Sequence, residues 1–164
     1  MFSDASTVVI ALFLLAPVLI GILFKLFSPG MRSVIDARML TADEQVAFLE
    51  AAVITLHVED LRQMSEEIGF RSFLRRAKWR IDVRKEMAAI RPRAVRALQN
   101  RLDLEAYLNG IKAKISSEKA ADAILSACRE LSESEGISRI EGRLLTELER
   151  TLRPDNEKAR IGEE

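Results

Sequence analysis

Hydrophobic residues fall along this chain in two ways: one unbroken run near the N-terminus, then a long series of positions spaced three and four apart. The run is Val8 to Phe24, "VVIALFLLAPVLIGILF", seventeen residues without a charge. As a helix rising about 1.5 Å per residue it reaches roughly 25 Å. Lys25, whose ammonium can snorkel, together with Leu26 and Phe27 brings it near the roughly 30 Å of a hydrocarbon core. Pro17 and Gly21 would interrupt a soluble helix but are tolerated in a membrane one. A cleaved signal peptide needs a basic leader and a small-residue cleavage site. "MFSDAST" holds no Lys or Arg, and "KLFSPGMR" has no A-x-A pattern. The run therefore predicts a retained transmembrane helix over residues 8–27, with residues 1–7 as a short extracytoplasmic segment.

The turn residues Ser28-Pro-Gly30 follow, and residues 28–40 read as a juxtamembrane linker or interfacial helix carrying Met31, Val34, Ile35 and Met39. Thr41-Ala-Asp-Glu44 is a capping-box pattern. After it Val46, Leu49, Val53, Leu56, Met64 and Ile68 predict one long helix that stops at Gly69. A second helix is expected through "RSFLRRAKWRIDVRK", Arg71 to Lys85, ending near Arg91, because the residue before Pro92 is pushed out of the helical region. Leu98, Leu102, Leu104, Leu108, Ile111 and Ile115 continue the pattern, in one helix or in two pieces broken near Asn109-Gly110. Ser117 caps a further helix that ends at Gly136. Ser138 to Glu141 forms another capping box, opening a last helix that Pro154 stops. Residues 154–164 read as a flexible tail.

No run alternates at period two for long enough to be a strand. The predicted class is all-α: a single N-terminal transmembrane helix followed by a cytosolic antiparallel bundle of five or six helices over residues 41–153. Composition agrees, since 48% of residues are hydrophobic yet only 5% are aromatic, which leaves Ala, Leu, Ile and Val to build the core. Asp4 precedes the span, and Lys25, Arg32 and Arg38 follow it. The positive-inside rule therefore places the bundle on the cytoplasmic side of an inner or plasma membrane. A single cysteine, Cys128, agrees with a reducing compartment.

Formal net charge is zero, but its distribution is uneven. Residues 71–101 carry a net +9, residues 28–70 a net −5 and residues 102–164 a net −4. Projected on one helix, Phe70, Phe73, Leu74, Ala77, Ile81 and Ala88 form one stripe, with Trp79, Val83, Met87 and Ile90 opposite. Two stripes on one helix imply two packing partners, and acidic neighbouring helices would then neutralise the arginines. Contact with the inner leaflet, an acidic protein partner or nucleic acid are the alternatives. Arg75, Arg76, Trp79, Arg80, Val83 and Arg84 are the candidate contacts to a partner or to lipid.

Residues able to carry chemistry are few. His57 stands near Asp60, but a single histidine cannot supply a di-metal bundle, and it reads as a partly exposed helix residue. Cys128, on the apolar side of "AILSACREL", reads as a core thiol. "SESEGISRIEGR" fails the calcium-loop spacing, and no phosphate-binding loop, G-x-G-x-x-G or zinc-hydrolase motif occurs. The run "CRELSESEGISRIEGRLLTEL" resembles the helical hairpin of tellurite-resistance TerB-type modules, where an acidic-Gly turn joins two helices with metal-binding acids nearby. It spans 21 of the 164 residues, is built of common capping chemistry, and lacks the first hairpin of such modules. The expectation is a non-enzymatic protein with no catalytic residue, no metal, no cofactor and no small-molecule substrate. It would be an accessory subunit, scaffold or adaptor of a membrane complex, acting through protein contacts that include another transmembrane subunit. The alternative function is a membrane-tethered binder of nucleic acid or anionic lipid through residues 71–101, with nucleic acid the less favoured partner.

Overall fold

The structure, a computed structural model, describes residues 36–58, 64–133 and 137–153. The expected transmembrane segment, with Val8, Pro17, Gly21 and Phe24, lies outside the described residues, as do Gly136 and Pro154. No helix among the described residues is long and apolar enough to cross a membrane.

Six α-helices and no strand are present among the described residues, so the all-α bundle expected from the spacing is found. After a single 3-10 turn at Ala37–Met39 come α1 (Ala42–His57), α2 (Met64–Arg76), α3 (Val83–Ala97), α4 (Arg101–Lys112), α5 (Glu118–Ser132) and α6 (Arg139–Leu152).

Helix α1 is the centre of the bundle. Every residue from Ala47 to Thr55 is buried, and α3, α4, α5 and α6 all pack against it. "AFLEAAVIT" has no polar face to leave outside, and Ala47, Ala51 and Ala52 let neighbouring backbones come close. Its start is the expected capping box. The Thr41 hydroxyl accepts from the Glu44 N–H at 3.2 Å, and the Glu44 carboxylate accepts from the Thr41 N–H at 2.9 Å. The long helix to Gly69 is not formed: α1 ends at His57, and α2 runs through Gly69. A glycine inside a helix costs only about 1 kcal/mol and does not by itself stop one.

The helix expected over the basic stretch is two helices. Helix α2 ends at Arg76, residues 77–82 are a loop, and Asp82 caps α3 by accepting from the N–H groups of Arg84 (3.1 Å) and Lys85 (3.2 Å). The loop resets the helical phase, which removes the two-faced helix. Phe70 and Phe73 are the buried face of α2, while Ile90, Ala94 and Ala97, with Val83 and Met87 partly buried beside them, are the single buried face of α3. Spacings of four and three from Val83 to Ala97 give one continuous stripe. Pro92 lies inside α3 rather than at its end. Its ring removes a hydrogen bond to the Ala88 carbonyl, and both residues are exposed, so water can take that carbonyl instead.

Helix α4 is unbroken through Asn109-Gly110, and Asn100 caps it by accepting from the Asp103 N–H at 2.9 Å. Ser117 caps α5, and Ser138 with Glu141 forms the second capping box, opening α6, both as the spacing predicts. Helices α5 and α6 are joined across their exposed sides by Arg129 to Glu149 (2.7 Å) and by the Arg153–Asp122 ion pair.

Candidate functional site

The basic loop is fastened to the place where the chain joins the bundle. Gln45, fully buried in the first turns of α1, donates from its side-chain nitrogen to the carbonyls of Ala37 (2.7 Å) and Leu40 (3.4 Å). Its side-chain oxygen accepts the backbone N–H of Arg80 at 2.9 Å. The Arg80 guanidinium in turn donates to the Arg38 carbonyl at 3.2 Å. Below the loop Phe48, Phe73 and Trp79 meet with ring centroids 5.5 to 5.8 Å apart, and the Phe73–Trp79 pair is edge-to-face at 89°. Such pairs add about 0.5–1.5 kcal/mol each beyond area burial. The indole N–H of Trp79 donates to the Leu74 carbonyl at 2.8 Å.

Trp79 and Val83, two of the candidate contact residues, are therefore half-buried against the core. Trp79 projects opposite the main stripe only if the helix continues; the loop turns it inward onto Phe48 and Phe73. Arg75, Arg76, Arg80 and Arg84 are exposed, and Lys78 and Lys85 join them. Against these six cations stand Asp82, whose carboxylate caps α3, and Glu86, so residues 75–86 carry a net +4.

Local neutralisation by acidic neighbours reaches only part of the basic region. Arg93 of α3 pairs with Glu50 of α1 at 3.1 Å, whereas Arg75, Arg76, Lys78, Arg84 and Lys85 make no ion pair with a carboxylate of the described residues. The buried acids of α1 are committed inward. Glu50, 2% exposed, takes Lys114, just past the end of α4, at 2.8 Å as well as Arg93, and its backbone carbonyl accepts from the Tyr107 hydroxyl at 3.3 Å. Burial first, and then the charge of Glu50, push the Tyr107 hydroxyl well above its usual range, with Arg93 acting against them.

Glu44 is the other committed acid. Besides the Thr41 N–H it accepts from the Ser116 N–H (3.2 Å), the Ser116 hydroxyl (2.8 Å) and the Ser117 hydroxyl (3.2 Å), tying the start of α1 to the α4–α5 junction. Burial by itself would raise its pKa. The backbone and hydroxyl donors of Thr41 and Ser116 outweigh that and lower it to about 2.

The remaining chemistry-bearing residues are placed as follows. Cys128 is buried, and burial pushes its thiol up to about 12 against a smaller opposing contribution from Thr55. His57, half-buried in the last turn of α1, holds its Nδ1 2.8 Å from the Val53 carbonyl. Glu141, within the run that resembles a TerB-type hairpin, is buried by its capping role. No group of three His, Cys, Asp or Glu side chains among the described residues is placed to hold a metal ion. An open cleft of about 450 Å³ between α4 and α6 is floored by Leu104 and Leu108 and rimmed by charges of both signs, including the Arg150–Glu147 pair at 2.5 Å.

The site missed by sequence reasoning is the Gln45 clasp; its nearest signal is an uncharged polar side chain in the first turns of a helix that is buried at every residue from Ala47 to Thr55. Comparison of the chain with protein-family models, with curated proteins and with solved structures gives no match.

Proposed function

We propose that this chain is a single-pass membrane-anchored accessory or scaffold protein. Its helical bundle lies on the cytosolic side and holds another protein of the same membrane. The observation that carries this reading is the uncharged run Val8–Phe24, flanked by Lys25, Arg32 and Arg38 on one side and by Asp4 alone on the other. Consistent with a non-enzymatic role, the buried polar groups Glu44, Gln45 and Glu50 are spent on joining helices to one another. Large apolar side chains remain outside, Leu102 at 78% exposure and Ile140 at 55%, as surface for a protein partner. Pro17 and Gly21 would let a second transmembrane helix approach the span closely.

The test is gentle solubilisation of native membranes followed by cross-linking and native mass determination. A complex of fixed stoichiometry, with cross-links from Lys112 or Lys119 to a second membrane protein, supports the reading. A lone monomer with no cross-link overturns it.

A further inference from the structure

The Gln45 clasp fixes the basic loop beside residues 37–40, and the covalent chain fixes residues 37–40 close to the apolar run. Eight residues, 28–35, separate Phe27 from Asp36, and even fully extended they span no more than about 30 Å. Arg80 is hydrogen-bonded to both ends of this juncture, to Gln45 through its backbone and to Arg38 through its guanidinium. Around it Arg75, Arg76, Lys78, Arg84 and Lys85 are exposed without a carboxylate partner among the described residues, and Met39, 84% exposed, stands next to Arg38 in the same turn.

From this arrangement we infer that the 75–85 loop is a headgroup-binding face: it docks on anionic phospholipid of the leaflet next to the anchor and sets the orientation of the bundle on the membrane. The inference rests on the anchored reading proposed above. Each Lys or Arg near an anionic bilayer surface contributes about 1 kcal/mol, and the field fades within a Debye length of about 8 Å. A free basic loop of net +5 would bind such a surface weakly. Tethering makes the encounter intramolecular, at millimolar effective concentration, so weak attraction is enough. Lipid suits this face better than nucleic acid. Single-strand readers stack bases on exposed aromatic rings, and the loop's one aromatic, Trp79, has its ring against Phe48 and Phe73 and its N–H on Leu74.

The experiment uses the full chain in nanodiscs of phosphatidylcholine alone or with phosphatidylserine. Met39→Cys carries an environment-sensitive thiol dye, and Cys128, 1% exposed, does not compete for it. The expected result is a blue shift of the dye in phosphatidylserine discs that is reversed by about 0.5 M salt, where screening shortens to a few ångströms. The triple variant Arg76→Glu, Lys78→Glu, Arg84→Glu is expected to lose the shift. All three side chains are exposed, and unchanged helical circular dichroism confirms the fold. Identical emission in the two lipids overturns the inference and leaves the anchor standing. So does a shift in phosphatidylcholine discs produced by a short RNA or DNA duplex and absent with phosphatidylserine. Release of the chain from phosphatidylcholine discs under alkaline wash overturns the anchored reading and the inference together.

Discussion

The backbone N–H of Arg80 donates to the side-chain oxygen of Gln45 at 2.9 Å, across thirty-five positions of sequence. The same amide donates to the Ala37 carbonyl, so one buried side chain joins the first turn of the bundle, its central helix and the basic loop. Gln45→Leu keeps roughly the volume and leaves the Arg80 N–H without its partner, while the Ala37 carbonyl keeps only the Leu40 N–H at 3.2 Å. An unsatisfied buried group costs about 1–3 kcal/mol. The single tryptophan, Trp79, lies next to Arg80, so its emission is expected to move to the red in the variant at a denaturant concentration where the far-ultraviolet helix signal is still intact. Coincident transitions in the variant would show that the clasp is not a local fastening.

Glu50 and its two cations predict a marked asymmetry. Arg93 is 51% exposed and Lys114 31%, so both can be hydrated once the carboxylate is gone, while Glu50 at 2% cannot. Arg93→Ala with Lys114→Ala strands a buried charge and is expected to cost about 3–5 kcal/mol. Adding Glu50→Gln to that pair should recover more than half of the loss. Urea unfolding of the parent, of Glu50→Gln alone, of the Arg93→Ala and Lys114→Ala pair and of all three together closes a cycle that measures this; equal losses from the pair with and without Glu50 would contradict the assignment.

Glu44 predicts acid sensitivity at the start of α1. Its pKa in the folded chain, about 2, lies below the usual 4.5, so its contribution to stability is complete above about pH 4.5 and is lost as pH falls toward 2. Glu44→Gln should therefore destabilise the chain most at neutral pH, and the gap to the parent should close between pH 5 and pH 2. A gap independent of pH would show that the carboxylate's charge is not what holds Ser116 and Ser117.

The parts of this fold that were legible in the sequence are those settled within a few residues. Thr41 with Glu44, Ser117, and Ser138 with Glu141 each satisfy helix N–H groups three positions on, and each starts a helix where its pattern says. The break at residues 77–82 was written there too, in Asp82 followed by Val83, Met87, Ile90, Ala94 and Ala97. Reading one phase through both helices turned two single faces into two faces of one helix. Gln45 to Arg80 and Glu44 to Ser116 have no such signature, because a side chain reaching a backbone group across the bundle leaves no spacing to read. The same holds for Trp79, whose inward turn depends on where the loop falls.

Cys128 offers a check on the core itself. Its thiol is 1% exposed and its pKa is pushed to about 12, which leaves almost no thiolate at neutral pH. A thiol reagent at pH 7.5 is expected to modify the folded chain slowly, at the rate of bundle opening, and the chain in denaturant at once. Rapid modification of the folded chain would contradict the packing of α5 on α1.

The most direct test of the account is the topology of the intact chain in its own membrane. Single cysteines are placed at Ser3→Cys and Met39→Cys, on either side of the Val8–Phe24 run, in a Cys128→Ala background. They are probed with a membrane-impermeant thiol reagent before and after permeabilisation, and alkaline extraction is run on the same membranes. The account predicts a chain that stays with the membrane, a cysteine at position 3 labelled from outside intact cells and one at position 39 labelled only once the membrane is opened. A chain released by alkali, or one labelled at position 39 from the outside, would contradict it.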